Sequence, residues 1–247
     1  VAQKKFASAA VPGSLVFVIR AALFVGLLVA MLPPVHASLM DELSSSDQSR
    51  VLTGQQVMVT EPIDGYPWPR AKVYQLVKAT PQQVMAVFFD YNSAHSYVPN
   101  CTKSRIAKEI DPRTFEVDYV VDVPIFPDEA YTVRNELCTG AGGALSVKWN
   151  VLHATSILES RGSLRVEPEK DGAILCYTNL VKPSSRAAVL LKGIALGQMK
   201  DTVNALVGQV AERRRDPQAL APEMARLEAA LGTELQLTEA KNTTGGK

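Results

Sequence analysis

Residues 114–123 read TFEVDYVVDV. Phe115, Val117, Tyr119, Val121 and Val123 fall on one side of an extended chain; Glu116, Asp118 and Asp122 fall on the other. A period of two with one apolar and one charged face predicts a strand in a sheet covered on one side only. The pattern recurs downstream. Tyr131, Val133, Asn135 and Leu137 oppose Thr132, Arg134 and Glu136, and Leu145, Val147, Trp149 and Val151 oppose Ser146, Lys148 and Asn150. Six strands are expected without a helix between them, at 102–110, 114–123, 129–138, 144–152, 157–167 and 173–182. The links between them are short, which predicts antiparallel hairpins.

Upstream, 71–79 (AKVYQLVKA) reads as the first strand of the same sheet. Residues 56–60 offer a short extra strand, and the Pro- and Gly-rich 61–70 reads as a loop. Thr80 is an N-cap, with Pro81 at the first helical position and Gln83 three residues after the cap. The helix it opens places Val84, Val87 and Phe88 on one face and ends near Asp90. Residues 90–100 (DYNSAHSYVPN) carry an acid, a histidine and two tyrosines. They read as a corner: Asp90 and Asn92 bond local backbone, a short second helix follows, and Pro99 stops it. Downstream, 186–214 repeats Leu190, Ile194, Leu196, Met199, Val203, Leu206, Val207 and Val210 at helical spacing, and this long helix covers the apolar sheet face. A weak helix over 222–231 and an unstructured tail end the chain.

The first 37 residues carry Lys4, Lys5 and Arg20, an apolar run over 21–32, and the short side chains of Val35 and Ala37 around His36. That is the order of a secretory signal peptide, with cleavage after Ala37 and a periplasmic or secreted product. A retained N-terminal anchor is the alternative. The leader holds three of the 26 basic residues and none of the 25 acidic ones, so the remainder is slightly acidic. Nothing in that balance favours nucleic acid. No motif implies a metal or a cofactor. Only His95 and His153 survive cleavage. Register places Cys138 level with Ala144, Arg165 and Cys176, three strands apart, and Cys101 near Val123 at the other end of the sheet. No intrachain disulfide is expected.

The order strand, helix, short helix, six antiparallel strands, long helix resembles the START-like (SRPBCC, helix-grip) superfamily, in particular its bacterial polyketide-cyclase-like and lipid-transfer-like branch. The residues carrying the resemblance are ATPQQVMAVFFDYNSAHSYVPNC (79–101), VDVPIFPDEAYTVRNE (121–136), EPEKDGAILCYTNLVKP (167–183) and the helix that follows. The resemblance implies an α+β fold in which a seven-stranded curved antiparallel sheet wraps a long C-terminal helix. The organisation expected is leader 1–37, lead-in 38–70, domain 71–215, and a short helix and tail over 216–247. It also implies an apolar cavity between sheet and helix.

Cavity residues are expected from five strands and the helix. They are Phe115, Val117, Tyr119 and Val121; Tyr131, Val133 and Asn135; Val147 and Trp149; Leu158, Ser160 and Tyr177; and Leu190, Ile194, Met199 and Val203. The polar contacts among them are Tyr119, Asn135, Ser160 and Tyr177. His95 and His153 are mouth contacts, and the loops 124–128, 153–156 and 182–186 surround the mouth. The function expected is binding or transport of a lipid or other hydrophobic small molecule, with transient contact to a membrane or transporter. A protein-interaction module with a filled core, and a cyclase- or hydrolase-type enzyme using the same cavity, are the alternatives.

Overall fold

A computed structural model describes residues 38–123, 127–185 and 189–244, with side chains up to Gly232. The leader therefore lies outside the described residues, as do parts of the expected mouth loops at 124–126 and 186. Residues Ser38–Lys247 form one compact unit.

The strands are β1 (Val57–Glu61), β2 (Arg70–Val77), β3 (Cys101–Asp111), β4 (Thr114–Val121), β5 (Glu129–Thr139), β6 (Leu145–Ala154), β7 (Ile157–Glu169) and β8 (Gly172–Pro183). They form one sheet in the order β1-β2-β8-β7-β6-β5-β4-β3, antiparallel throughout. The expected six-strand meander is there, each strand within two residues of its expected bounds. The short extra segment is a full edge strand, so the sheet has eight strands rather than seven.

The helices are α1 (Ser45–Leu52), α2 (Pro81–Phe89), α3 (Lys192–Arg215) and α4 (Pro217–Thr244). The Thr80 hydroxyl accepts from Gln83 N–H at 3.2 Å while Gln83 Oε1 accepts from Thr80 N–H at 3.1 Å, closing a capping box at the start of α2. Val84, Met85, Ala86, Val87 and Phe89 are all buried. A helix with a single apolar face was expected. Burial runs almost all round because α2 lies against the sheet on one side and α4 on another.

α4 is longer than the expected 222–231 helix. It starts at Pro217 and its backbone stays helical to Thr244, through Pro222. Leu220, Leu227 and Ala230 are buried in the main core. Arg226 pairs with Asp90 at 2.9 Å, and Arg213 of α3 pairs with Glu223 at 2.9 Å. The side-chain partners of Asp90 and Asn92 are thus distant, not local: Asn92 Oδ1 accepts from Ile106 N–H at 2.8 Å.

The far side of the sheet is not uniformly wet. Over β4 and β5 it carries the expected charges, with Arg134–Glu116 at 2.7 Å and Arg105–Asp118 at 2.8 Å. Over β2 and β8 it is covered by residues 39–51, a segment expected as a loose lead-in with some helix, of which Ser45–Leu52 is helical. Leu39, Leu43, Val51, Val57, Tyr74, Ile174 and Cys176 form a second small core there. Glu42 holds this cover down through Lys72 (2.6 Å), Arg165 (3.0 Å) and the Tyr74 hydroxyl (2.8 Å). Cys138, Ser146, Arg165 and Cys176 are level on successive strands, so Ser146 replaces the expected Ala144. Cys101 faces Val121, and no disulfide joins Cys101, Cys138 or Cys176. Among the described residues no helix is long and apolar enough to cross a membrane.

Candidate functional site: a cavity under the first half of the long helix

The inner face of the sheet is divided along its strands. At one end Phe115, Val117, Leu137, Val147, Leu164 and Leu175 are buried against α2, α4 and the second half of α3. Phe88, Phe89, Tyr91 and Phe115 stack there, with Phe89 and Phe115 edge-on at 5.3 Å. At the other end, which α2 reaches only through Phe88 beside Trp149, the first half of α3 lies over the sheet. A cavity of about 280 Å³ remains, lined by Val121, Tyr131, Val133, Trp149, Val151, Ser160, Tyr177 and Val181 from the strands. Leu191, Ile194, Ala195, Gln198, Met199 and Thr202 of the α3 segment form its roof, and Val98 and Pro99 close one side.

Eight of the sequence-derived cavity residues meet here: Val121, Tyr131, Val133, Trp149, Ser160, Tyr177, Ile194 and Met199. The others do not. Phe115, Val117, Val147 and Val203 point to the same interior but lie at its packed end, at most 5% exposed. Asn135 is buried with them, its amide nitrogen without a partner. Tyr119 stacks on Tyr131 at 5.5 Å behind the wall. Leu158 is 60% exposed because the β7–β8 register shifts between Ile157 and Glu159, so Ile157 takes the inward position. Leu190 is 85% exposed, one turn before α3 settles onto the sheet.

The histidines are elsewhere. His95 Nδ1 is held by Asn92 O at 2.9 Å and the Ser104 hydroxyl at 3.0 Å, at the outer corner of the short 3₁₀ turn Tyr91–Ser96. Burial raises the Cys101 thiol, the reverse of an activated nucleophile. His153 sits opposite Thr132 on the outer face, in an open groove with Lys103, Arg105 and Asp118.

Several lining residues carry no signal that the strand pattern alone picked out. Trp68 enters from the loop 62–69, and its indole N–H donates to Val189 O at 3.1 Å, tying that loop to the chain ahead of α3. Asn179 accompanies Ser160, with Oγ to Oδ1 at 3.4 Å. Glu129 shares the inward parity of Tyr131 and Val133, and that parity is the signal by which it could have been found. It is 6% exposed, and both its oxygens accept from Ser156 N–H at 3.0 Å while one also accepts from the Ser156 hydroxyl.

Burial pushes the Tyr177 hydroxyl up to about 12 and raises those of Tyr131 and Tyr119 as well. At neutral pH these phenols are uncharged hydrogen-bonding groups, not bases. Trp149 and Tyr177 meet at 5.1 Å between centroids, so the floor of the cavity is aromatic. Among the described residues no three metal-ligating side chains converge.

Among solved structures, the chain is similar to a STAR-related lipid transfer protein from Xanthomonas axonopodis. The TM-score is 0.57 at 17% identity, over 63% of this chain and 93% of that one. It is also similar to human STARD10, with a TM-score of 0.52 at 10% identity over 76% of this chain and 89% of that one. The fold is START-like, a helix-grip. No protein-family model matches the sequence, and no curated protein matches it. The seven strands expected of a helix-grip correspond to β2–β8; β1 adds to their edge beside β2.

Proposed function

We propose that the protein binds a lipid or other apolar small molecule in the cavity beneath α3, outside the cytoplasm, and exchanges it at a membrane surface. The observation that carries the reading is the cavity itself. Protein interiors are normally close-packed, yet here one end of the sheet is packed solid and the other encloses about 280 Å³. Its walls are mostly valine, isoleucine, methionine and aromatic rings, with a few convergent polar groups, which is the composition of a small-molecule site. The Xanthomonas axonopodis structure, described as a STAR-related lipid transfer protein, has the same fold. The leader supports the compartment. Exposed Leu158, Leu190 and Ile194 adjoin lining residues and give the mouth an apolar rim, which suits contact with a bilayer.

The mechanism is capture by desolvation. Transfer of hydrocarbon from water to the cavity releases about 25 cal/mol per Å² of apolar surface, and the polar groups fix which end of the ligand lies inside. The test is organic extraction of the purified protein and mass spectrometry of the extract, against a mock purification. A stoichiometric apolar molecule is expected. A protein that releases none, and takes up none from mixed phospholipid vesicles, overturns the reading in favour of an interaction module.

A further inference from the structure

Building on the lipid-binding reading, we propose that the cavity selects a ligand whose polar end is a cation, an ammonium group carried on a hydrocarbon body. The residue that receives it is Glu129. Its carboxyl group lies in the cavity wall at 6% exposure. Both oxygens accept from the backbone N–H of Ser156, so the group is arranged as an acceptor. Among the described residues it has no basic partner, and no Lys, Arg or His lines the cavity. Lys192 is not among the cavity's lining residues; it lines an adjoining pocket of about 40 Å³ that shares Trp68, Asn179, Val181, Ala195 and Met199 with the cavity. The remaining polar lining, Ser160, Asn179, Gln198 and Thr202, is neutral.

A buried carboxylate without a cation is costly, and a cationic partner offsets that cost. The aromatic walls act in the same direction. Trp68, Tyr131, Trp149 and Tyr177 all line the cavity, and ring faces attract ammonium groups. An anionic head would meet a carboxylate and aromatic faces, with no described cation to receive it. The chemistry therefore ranks ammonium above hydroxyl, and hydroxyl above carboxylate or phosphate.

Both tryptophans of the chain line the cavity, so intrinsic fluorescence reports its occupancy. The probes are decylammonium, decanol and decanoate, which share one hydrocarbon chain, titrated at pH 7 into purified protein. Decylammonium is expected to bind about tenfold or more tighter than decanoate, as a buried charge contact implies, with decanol between. Glu129→Gln is expected to remove most of the advantage of decylammonium over decanol. Decanoate binding as tightly as decylammonium overturns the proposal, as does an unchanged ranking in Glu129→Gln. The wild-type ranking decides alone if that variant does not fold. Decanol binding without an ammonium preference overturns this inference only; no binding of any probe overturns the lipid-binding reading with it.

Discussion

Gly162 lies directly opposite Trp149 in the β6–β7 ladder, with the indole lying against its Cα. A Cβ built at Gly162 would fall 2.5 Å from the Trp149 ring and closer still to the Thr178 carbonyl oxygen. Any larger residue there must displace both the cavity floor and the neighbouring strand. The missing side chain is what lets Trp149 lie flat enough to meet Tyr177.

Gly162→Ala is therefore expected to lower stability by about 1–3 kcal/mol, the usual cost of overpacking. It should also shift the Trp149 emission, because the ring is forced toward the cavity. Thermal unfolding and fluorescence spectra measure both. A variant with unchanged melting and emission would mean that β7 can move away from Trp149 freely.

Strand alternation made the inner face of the sheet legible, because a period of two fixes which way Val117, Val121, Val133 and Trp149 point. It could not tell depth along a strand. Val117 and Val121 share a face, yet one is in the packed core and the other lines the cavity. What separates them is where α2 sits, and α2 is held by α4, whose weak periodicity read only as a short helix over 222–231. Leu158 failed for a different reason: a register shift after Ile157 reverses its direction. Glu129 shares the inward parity of Tyr131 and Val133 but was passed over because a carboxylate does not look like part of an apolar wall, and Trp68, between prolines, has no periodic signature. The outer cover over 39–51 was hidden too, since Tyr74, Ile174 and Cys176 alternate only weakly against their buried neighbours.

That cover makes stability depend on pH. Burial alone would raise the Glu42 carboxyl, but its hydrogen bonds to Lys72 and Tyr74 and the charges of Lys72 and Arg165 outweigh it and hold it below the ordinary 4.5. A folded-state value below the unfolded one gives stabilisation that is complete above about 4.5 and fades as pH falls through the lowered folded value. Glu42→Gln is expected to cost about 1–3 kcal/mol at pH 7, the range for hydrogen bonds to charged groups. Wild type and variant should converge in strongly acid solution. Urea titrations across this pH range measure it, and a gap that persists unchanged at low pH would contradict the ion-pair account.

Gly193 and Gly197 lie in the half of α3 that roofs the cavity, and a Cβ at either would meet nothing within 4 Å. Close packing against the sheet therefore does not require them. Each weakens the helix by about 1 kcal/mol relative to alanine, in the segment that must move for a ligand to pass. The double replacement Gly193→Ala with Gly197→Ala is expected to raise the melting temperature and to slow decanol uptake and release. Stopped-flow tryptophan fluorescence gives the rates. Faster melting, or unchanged exchange with a more stable helix, would mean that ligand passes without opening the roof.

Ser160 and Leu158 form a matched pair for testing the cavity by filling it. They are two residues apart, but the register shift after Ile157 turns Ser160 inward to line the cavity and leaves Leu158 exposed. Ser160→Trp places an indole inside a space of about 280 Å³, large enough to take it without forcing the strands apart. Decanol affinity is expected to drop about tenfold or more, since apolar area buried by the ligand is replaced by area buried by the side chain. The melting temperature should hold or rise, because filling a cavity restores packing. Leu158→Trp puts the same indole on the exposed rim, outside the cavity, and is expected to leave affinity within about twofold, as surface substitutions usually do. Equal losses in both variants would show that binding takes place on the apolar rim, and no loss in either would remove the cavity from the binding site altogether.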